Sequence, residues 1–480
     1  MMDNFDFEDN YFPSMDELLV RYEKIRNGEP LQYLEEEDYL NLIEYFDDNE
    51  NVDNAVEAIG IGLSYFPFSS ALLIKKADFE IAEKKYLKAL RTLELSEIYN
   101  RNDINLYILK IDAYLALRDF EKANAAFNEA VSMFEGEEAI DLLLELTDLY
   151  DDYDEFDKVF DSLKLVLKLD PQNQEALYKI CFWTEFLGRN EESIRIHEQI
   201  IDQYPYNEIA WFNLAAAYQG LKLYEKAIDK YLYAIAINDK FDYAYRNLGD
   251  AYMRLRKYKQ AIEVLEKLLE LSRSEDVIHE AIGYCYHKLE NYDKARMHYV
   301  EALNLNPDDT KLSYKIALTY MNERQWHKAE KAMENAIGAK KIFPEMHLAM
   351  GECKFQLGAY IDAIHHFGIV VKSRPKNAGA WEALIRSLYF SNNLEEAIVQ
   401  SENAFEFTDG KHLFLYYKAF ALFAMGKQKE AACCLEMALS KDPKAFKKIV
   451  DINPLLLQNS AIIELLSRYP VSKKNTRKRN

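Results

Sequence analysis

The chain has 480 residues, 49% of them hydrophobic, with only 15 glycines and 11 prolines; this supplies apolar surface for a continuous core and disfavours a loop-rich all-β chain. Its formal net charge of −22 would repel a nucleic-acid backbone. The longest apolar stretch, Leu413 to Met425, contains Lys418 and falls short of the ~20 residues that a membrane span needs.

From the start of the chain, residues 1–13 are acidic and aromatic, without the basic and apolar regions of a secretory leader, and read as disordered. The expected setting is soluble and cytoplasmic. Ser14-x-x-Glu17 has the spacing of a capping box, so residues 14–35 are predicted to hold a capping helix that stops near Gly28 and Pro30.

A small residue then recurs every 34 positions: Ala55, Ala89, Ala123, Val159, Ser193, Ala227, Ala261, Ala295, Ala329, Ala363, Ala397 and Ala431. The single step of 36, Ala123 to Val159, places a two-residue insertion near Glu135-Gly136-Glu137-Glu138, where a longer loop is expected. Other ladders keep the same phase. Twelve positions upstream stand Ala77, Ala215, Gly249, Gly283, Ala317, Gly351 and Ala419, small enough for close helix approach, with bulkier Ile43, Ile111, Thr147, Cys181 and Ile385 in the same slot. Three positions upstream are aromatics such as Tyr86, Phe120, Tyr224 and Trp326. Twelve positions downstream, Pro67, Pro171, Pro205, Pro307, Pro375 and Pro443 end one unit and begin the next. Within Glu208–Phe241, Trp211, Leu214, Ala215 and Tyr218 share one helical face, and Tyr224, Ala227, Ile228, Tyr231 and Ala234 share another. Two such short amphipathic helices need neighbours to bury their apolar faces.

The pattern Trp-x-x-Leu-Ala-x-x-Tyr, Tyr-x-x-Ala, Tyr-x-x-Ala, Pro resembles the tetratricopeptide repeat. Twelve units are placed, starting at Glu36, Ser70, Ile104, Ile140, Gln174, Glu208, Asp242, Asp276, Thr310, Pro344, Ala378 and His412, over residues 36–445. The resemblance implies an all-α, right-handed superhelical solenoid whose first helices line a concave groove. Residues 446–470 read as closing helices, Ala445–Ile452 and Leu455–Arg468. Residues 471–480 read as a disordered basic tail.

Charge is uneven: residues 1–170 hold 41 acidic and 16 basic residues, a net of −25, and the tail carries +5. Glu44, Asp78, Asp112 and Asp148 occupy one equivalent slot of four successive first helices, similar to a ligand-facing position of the family. They form either a surface for a basic ligand or a solvated acidic face. Further along, Tyr178, Phe182, Phe212, Tyr243, Tyr284, Tyr314, Phe355 and Tyr389, with Phe186, Phe390, Tyr416, Phe420 and Phe423, take inner-face slots. They are candidates for core packing or for a trough holding apolar anchors. Asn213, Arg246, Asn247, Lys315 and Arg386 lie near this path as candidates for ligand backbone or carboxylate groups. Asn213, Arg246 and Asn247 only partly echo the lysine/asparagine clamp of the family's chaperone-binding class.

No phosphate loop, dinucleotide fingerprint, His-Glu-x-x-His, Cys-x-x-Cys or nucleophile elbow occurs, so no catalytic, cofactor or metal residues are assigned. Cys181, Cys285, Cys353, Cys433 and Cys434 lack metal or disulfide spacing. The expected function is a non-catalytic scaffold gripping a protein segment, basic toward the first third and apolar toward the later units. The alternative is a self-assembling structural or assembly factor, a possible homo-oligomer, whose groove binds its own or a neighbour's basic tail. No membrane partner is expected, and nucleic acid is disfavoured.

Overall fold

The structure is a computed structural model and describes residues 14–29, 33–271, 275–337, 343–446 and 460–468; the segments 1–13 and 471–480 and the helix expected at Ala445–Ile452 lie largely or wholly outside these. All regular elements among the described residues are helices. After an opening helix Met15–Arg26, helices alternate in hairpins whose first members are Glu36–Asp48, Ser70–Ala82, Ile104–Ala116, Gly136–Asp152, Gln174–Leu187, Glu208–Gly220, Asp242–Arg254, Asp276–Lys288, Thr310–Asn322, Pro344–Gln356, Ala378–Phe390 and Leu413–Ala424. The expected starts are met except at two places. Leu413 replaces His412 by one residue. Gly136 replaces Ile140 because the insertion lengthens a helix to 17 residues instead of widening a loop. Gly136 takes φ 62, a left-handed backbone open to glycine without a steric penalty, so the chain turns and enters the helix at once.

Each punctuation mark has a physical counterpart. Pro67-x-Ser69, Pro171-x-Asn173, Pro205-x-Asn207, Pro307-x-Asp309 and Pro375-x-Asn377 stop one helix and cap the next: each third residue accepts a backbone N–H of the following turn. Ser14 likewise accepts from the Glu17 N–H, and Gly28 lies just past that helix with φ 74. Between the two helices of each hairpin one residue is left-handed: Glu50, Lys84, Arg118, Asp154, Gly188, Lys222, Arg256, Glu290, Arg324, Gly358, Asn392 and Gly426. The next N–H then reaches back five residues, as in Asp119 to Tyr114 O at 2.9 Å and Lys257 to Tyr252 O at 2.9 Å, closing the first helix in a Schellman turn.

The alanine ladder is the seam of each hairpin. Ten of its twelve members are alanines between 0% and 2% exposed, and Val159 (0%) and Ser193 (1%) complete it. The small-residue slot faces a larger partner sixteen residues on. A Cβ on Gly249 would stand 2.7 Å from Leu265, on Gly283 2.7 Å from Tyr299, and on Gly351 2.6 Å from Phe367. The same register sets Ser401 opposite Ile385, so bulk lost on one helix is supplied by the other.

The described helices form two compact bodies, Met1–Ala244 and Tyr245–Asn480. Within each, helices pack on their sequence neighbours, and successive first helices, such as Ser70–Ala82 with Ile104–Ala116 or Pro344–Gln356 with Ala378–Phe390, also touch. Each body is therefore an all-α solenoid of hairpins. Among the described residues no helix is long and apolar enough to cross a membrane, and no group of three or more His, Cys, Asp or Glu side chains has the arrangement of a metal site.

Candidate functional site

In the first body, one slot of five successive first helices carries Glu44, Asp78, Asp112, Asp148 and then Phe182. The face changes from acidic to aromatic along a single line. At its ends the acids are neutralised: Lys75 Nζ lies 2.9 Å from Glu44 Oε1, and Lys179 Nζ lies 2.7 Å from Asp148 Oδ1. Each lysine sits 31 residues beyond its acid, on the next first helix. The middle of the ladder lacks this compensation, because the corresponding positions are Leu109 and Glu145. Asp78 and Asp112 make no ion pair among the described residues. Tyr153 Oη donates to Asp112 Oδ1 at 2.5 Å. Asp78 is exposed, yet desolvation by the surrounding helices raises its carboxyl above the usual carboxylate range, opposed by Lys75 and reinforced by Asp47 and Asp112. Asp112 is raised chiefly by burial too, with the Tyr153 bond opposing and Asp152 reinforcing.

The aromatic end is built on Gln174–Leu187, where Tyr178, Phe182 and Phe186 follow at intervals of four and are 55%, 61% and 57% exposed. Phe182 and Phe186 stack at 6.0 Å, and both rest on the buried Trp183, at 5.1 and 5.5 Å; Phe156 closes the group, 5.2 Å from Trp183 and from Phe186. Two exposed rings are thus held in place by a buried aromatic base.

The other predicted positions divide. Asn213 is a correction: it is 2% exposed, and its amide donates to Leu177 O at 2.7 Å and to His197 Nε2 at 3.1 Å. His197 Nδ1 is bonded to Ser193 O at 2.8 Å, so the network fixes a neutral tautomer and Asn213 serves the core. Phe212 is half-buried against Tyr231 and Phe241, while Tyr243 is 60% exposed. In the second body, Arg246 grips both Glu275 oxygens at 3.0 Å, and Lys315 pairs with Glu280. Asn247 and Tyr314 are half-buried, and Tyr284 is exposed with Lys288 over its ring at 5.2 Å. Phe355 and Tyr389 are half-buried, and Arg386 lies over Phe355 with its Cζ 4.8 Å from the ring centroid. Tyr416 and Phe420, at 0% and 4% exposed, are core residues. Lys75, Tyr153, Trp183 and Phe156 are the contributors that sequence reasoning missed. The spacing of 31 from acid to lysine was the available signal.

A family model, the C-terminal ARM domain of tetratricopeptide repeat protein 21, matches residues 163–346. Its span lies inside the hairpin array, with the 34-residue beat, the buried alanine seam and the proline stops already described. Over these residues the chain is similar to tetratricopeptide-repeat proteins. Solved structures similar to it include YrrB, described as a TPR protein with an unusual peptide-binding site, at 19% identity over 39% of this chain and 96% of that one (TM-score 0.35). The Cut9–Hcn1 hetero-tetramer of APC/C matches at 14% identity over 86% and 97% (TM-score 0.36). The C-terminal part of a TPR protein from Cytophaga hutchinsonii matches at 18% over 53% and 99% (TM-score 0.44). No curated protein matches the chain. In this array of helical hairpins, the acidic-to-aromatic face belongs to first helices throughout.

Proposed function

We propose that the chain is a non-catalytic scaffold that holds a protein segment along the first helices of its first body, with basic residues against Asp78 and Asp112 and apolar residues against Tyr178, Phe182 and Phe186. The observation that carries this reading is the unpaired middle of the acidic ladder. The two carboxylates without a cation partner are neighbours in the ladder, Asp78 exposed and Asp112 half-buried beneath the Tyr153 hydroxyl, so one basic segment lying along the first helices has both within reach. Adjacent helices 8–10 Å apart bring like charges close enough to repel by roughly 0.4 kcal/mol in water, and by more in this partly desolvated setting. One cationic segment touching both carboxylates relieves both penalties at once. The exposed rings two first helices further along supply apolar contact area at small entropic cost.

Affinity capture from the source cell with the wild-type chain and with an Asp78→Asn/Asp112→Asn/Asp148→Asn variant tests the reading. A captured partner should bind the variant more weakly and with a shallower salt dependence. Equal affinity and equal salt slope would refute it.

The second reading is self-assembly through the basic tail, motivated by the −25 of residues 1–170 and the +5 of residues 471–480. Sedimentation of the full chain and of a chain ending at residue 470, at low and high salt, separates it from the first. Identical behaviour of the two chains removes it.

A further inference from the structure

Among the cations on first helices that sequence reasoning linked to ligand binding, the second body keeps one unspent. Arg246 and Lys315 are paired with Glu275 and Glu280. Arg386, in the helix Ala378–Phe390, makes no ion pair and donates no hydrogen bond among the described residues, and its Nε is buried without a partner. It occupies the slot that holds Asp78, Asp112, Asp148 and Phe182 in the first body. Its guanidinium lies over Phe355, one repeat earlier. Phe355 packs on Tyr360 at 5.5 Å and on Phe390 at 5.6 Å, and Tyr360 and Phe390 stack at 5.8 Å. Phe390 is 40% exposed. The acid best placed to satisfy Arg386 is Glu382, one helical turn earlier, but Glu382 Oε1 accepts from Tyr417 Oη at 2.9 Å. Tyr417 is buried and holds that carboxylate off the guanidinium.

We infer that Arg386 and its aromatic shelf receive an acidic side chain, Asp or Glu, from a partner peptide that carries an aromatic residue two positions away. The inference rests on the protein-binding reading and adds a second, oppositely charged contact to it. A planar guanidinium stacked on one face presents its edge to a carboxylate, and a carboxylate is the group that satisfies two of its N–H donors together. In an extended segment, side chains two positions apart lie on one side, roughly 7 Å from each other. That separation lets the acid reach Arg386 while the ring lies on Phe390 and Tyr360. Charge complementarity selects this occupant over a basic or purely apolar one. Tyr417 acts as a positioning residue, since it prevents the chain's own carboxylate from filling the site.

The probe is a fluorescent, C-terminally amidated peptide with the sequence of residues 3–13, Asp-Asn-Phe-Asp-Phe-Glu-Asp-Asn-Tyr-Phe-Pro, which contains acid and ring two positions apart; binding to the full chain is read by anisotropy. Arg386→Gln should weaken binding at least tenfold, Arg386→Lys by less, and replacing the peptide's acids by amides should abolish the difference between wild type and Arg386→Gln. Tyr417→Phe frees Glu382 to close on Arg386 and should also weaken binding; adding Glu382→Gln should restore it, which a merely structural role for Tyr417 would not produce. The probe carries no basic residue and so does not need the contacts at Asp78 and Asp112; failure here and failure of the basic-segment reading are therefore separable. No binding by the wild-type chain, or unchanged binding by a folded Arg386→Gln chain, overturns the inference.

Discussion

Two glycines of one hairpin give a test in which the same substitution should stabilise at one position and fail to stabilise at the other. Gly351 and Gly368 both sit inside helices, Pro344–Gln356 and Tyr360–Ser373, where alanine is intrinsically better by about 1 kcal/mol. At Gly368 a new Cβ meets nothing within 4 Å, so Gly368→Ala should stabilise by about that amount. At Gly351 the new Cβ would lie 2.6, 2.8 and 2.9 Å from Cε1, Cδ1 and Cζ of Phe367, a ring only 1% exposed and unable to swing aside. Overpacking of this kind costs about 1–3 kcal/mol. Set against the propensity gain, Gly351→Ala should be between neutral and about 2 kcal/mol destabilising. Urea unfolding followed by far-ultraviolet circular dichroism should therefore separate the two variants by about 1–3 kcal/mol. The double variant Gly351→Ala/Phe367→Leu should recover part of the loss, as a positive coupling in a double-mutant cycle. Equal stabilisation by both alanines would mean that the small-residue slot does not set the helix approach, and the packing argument would fail.

Three further outcomes follow from other features. Asp78→Asn and Asp112→Asn should each raise the melting temperature at pH 7, because desolvation holds these carboxyls above their ordinary range and the folded state gains on protonation, while the same changes weaken a basic ligand; a lowered melting temperature would contradict the electrostatic account. His298 and His366 are lowered from 6.5 to about 4, mainly by burial, with His279, Lys294 and Glu301 beside the first and His347, His365, Lys354 and Asp362 beside the second. Their Nδ1 atoms lie 3.1 Å from that of His279 and 2.9 Å from that of His347. Between pH 6.5 and about 4 the unfolded chain binds the extra protons, so stability should fall with acidification across that window, and His298→Gln/His366→Gln should flatten the fall in a melting series. Finally, Arg256 sits at φ 58 in a hairpin turn where three other repeats use glycine, so Arg256→Gly should stabilise by about 0.5–1 kcal/mol in chemical denaturation, whereas Arg256→Val should cost more than that.

The hairpin array was readable because its determinants repeat as residue types. An alanine is needed wherever two helices touch at the seam, and a proline wherever a second helix must end, so both recur at fixed spacing. The left-handed turn residue recurs just as strictly but leaves no compositional trace: Glu50, Lys84, Arg118 and Asn392 all tolerate the conformation once the Schellman bond is made. The 36-residue step locates the insertion in the chain but not in the structure, since Glu137 and Glu138 extend a helix as readily as a loop. For the candidate site, the slot was legible and its accessibility was not. Phe182 and Phe420 share a slot, yet one is 61% exposed and the other 4%, because the second packs against Phe446 near the closing helix. Asn213 resembled a ligand-facing amide by position alone; the buried His197 that claims it lies on the preceding second helix, beyond any local pattern.

Carboxyl-group footprinting tests the central claim most directly. The chain is labelled with carbodiimide and glycine ethyl ester, with and without a captured partner, and modification is read at each acid by mass spectrometry. Protection should concentrate at Asp78 and Asp112, with exposed acids of the second helices, such as Glu121 and Asp157, labelled as before. Unchanged labelling of Asp78 and Asp112 in the saturated complex would contradict it.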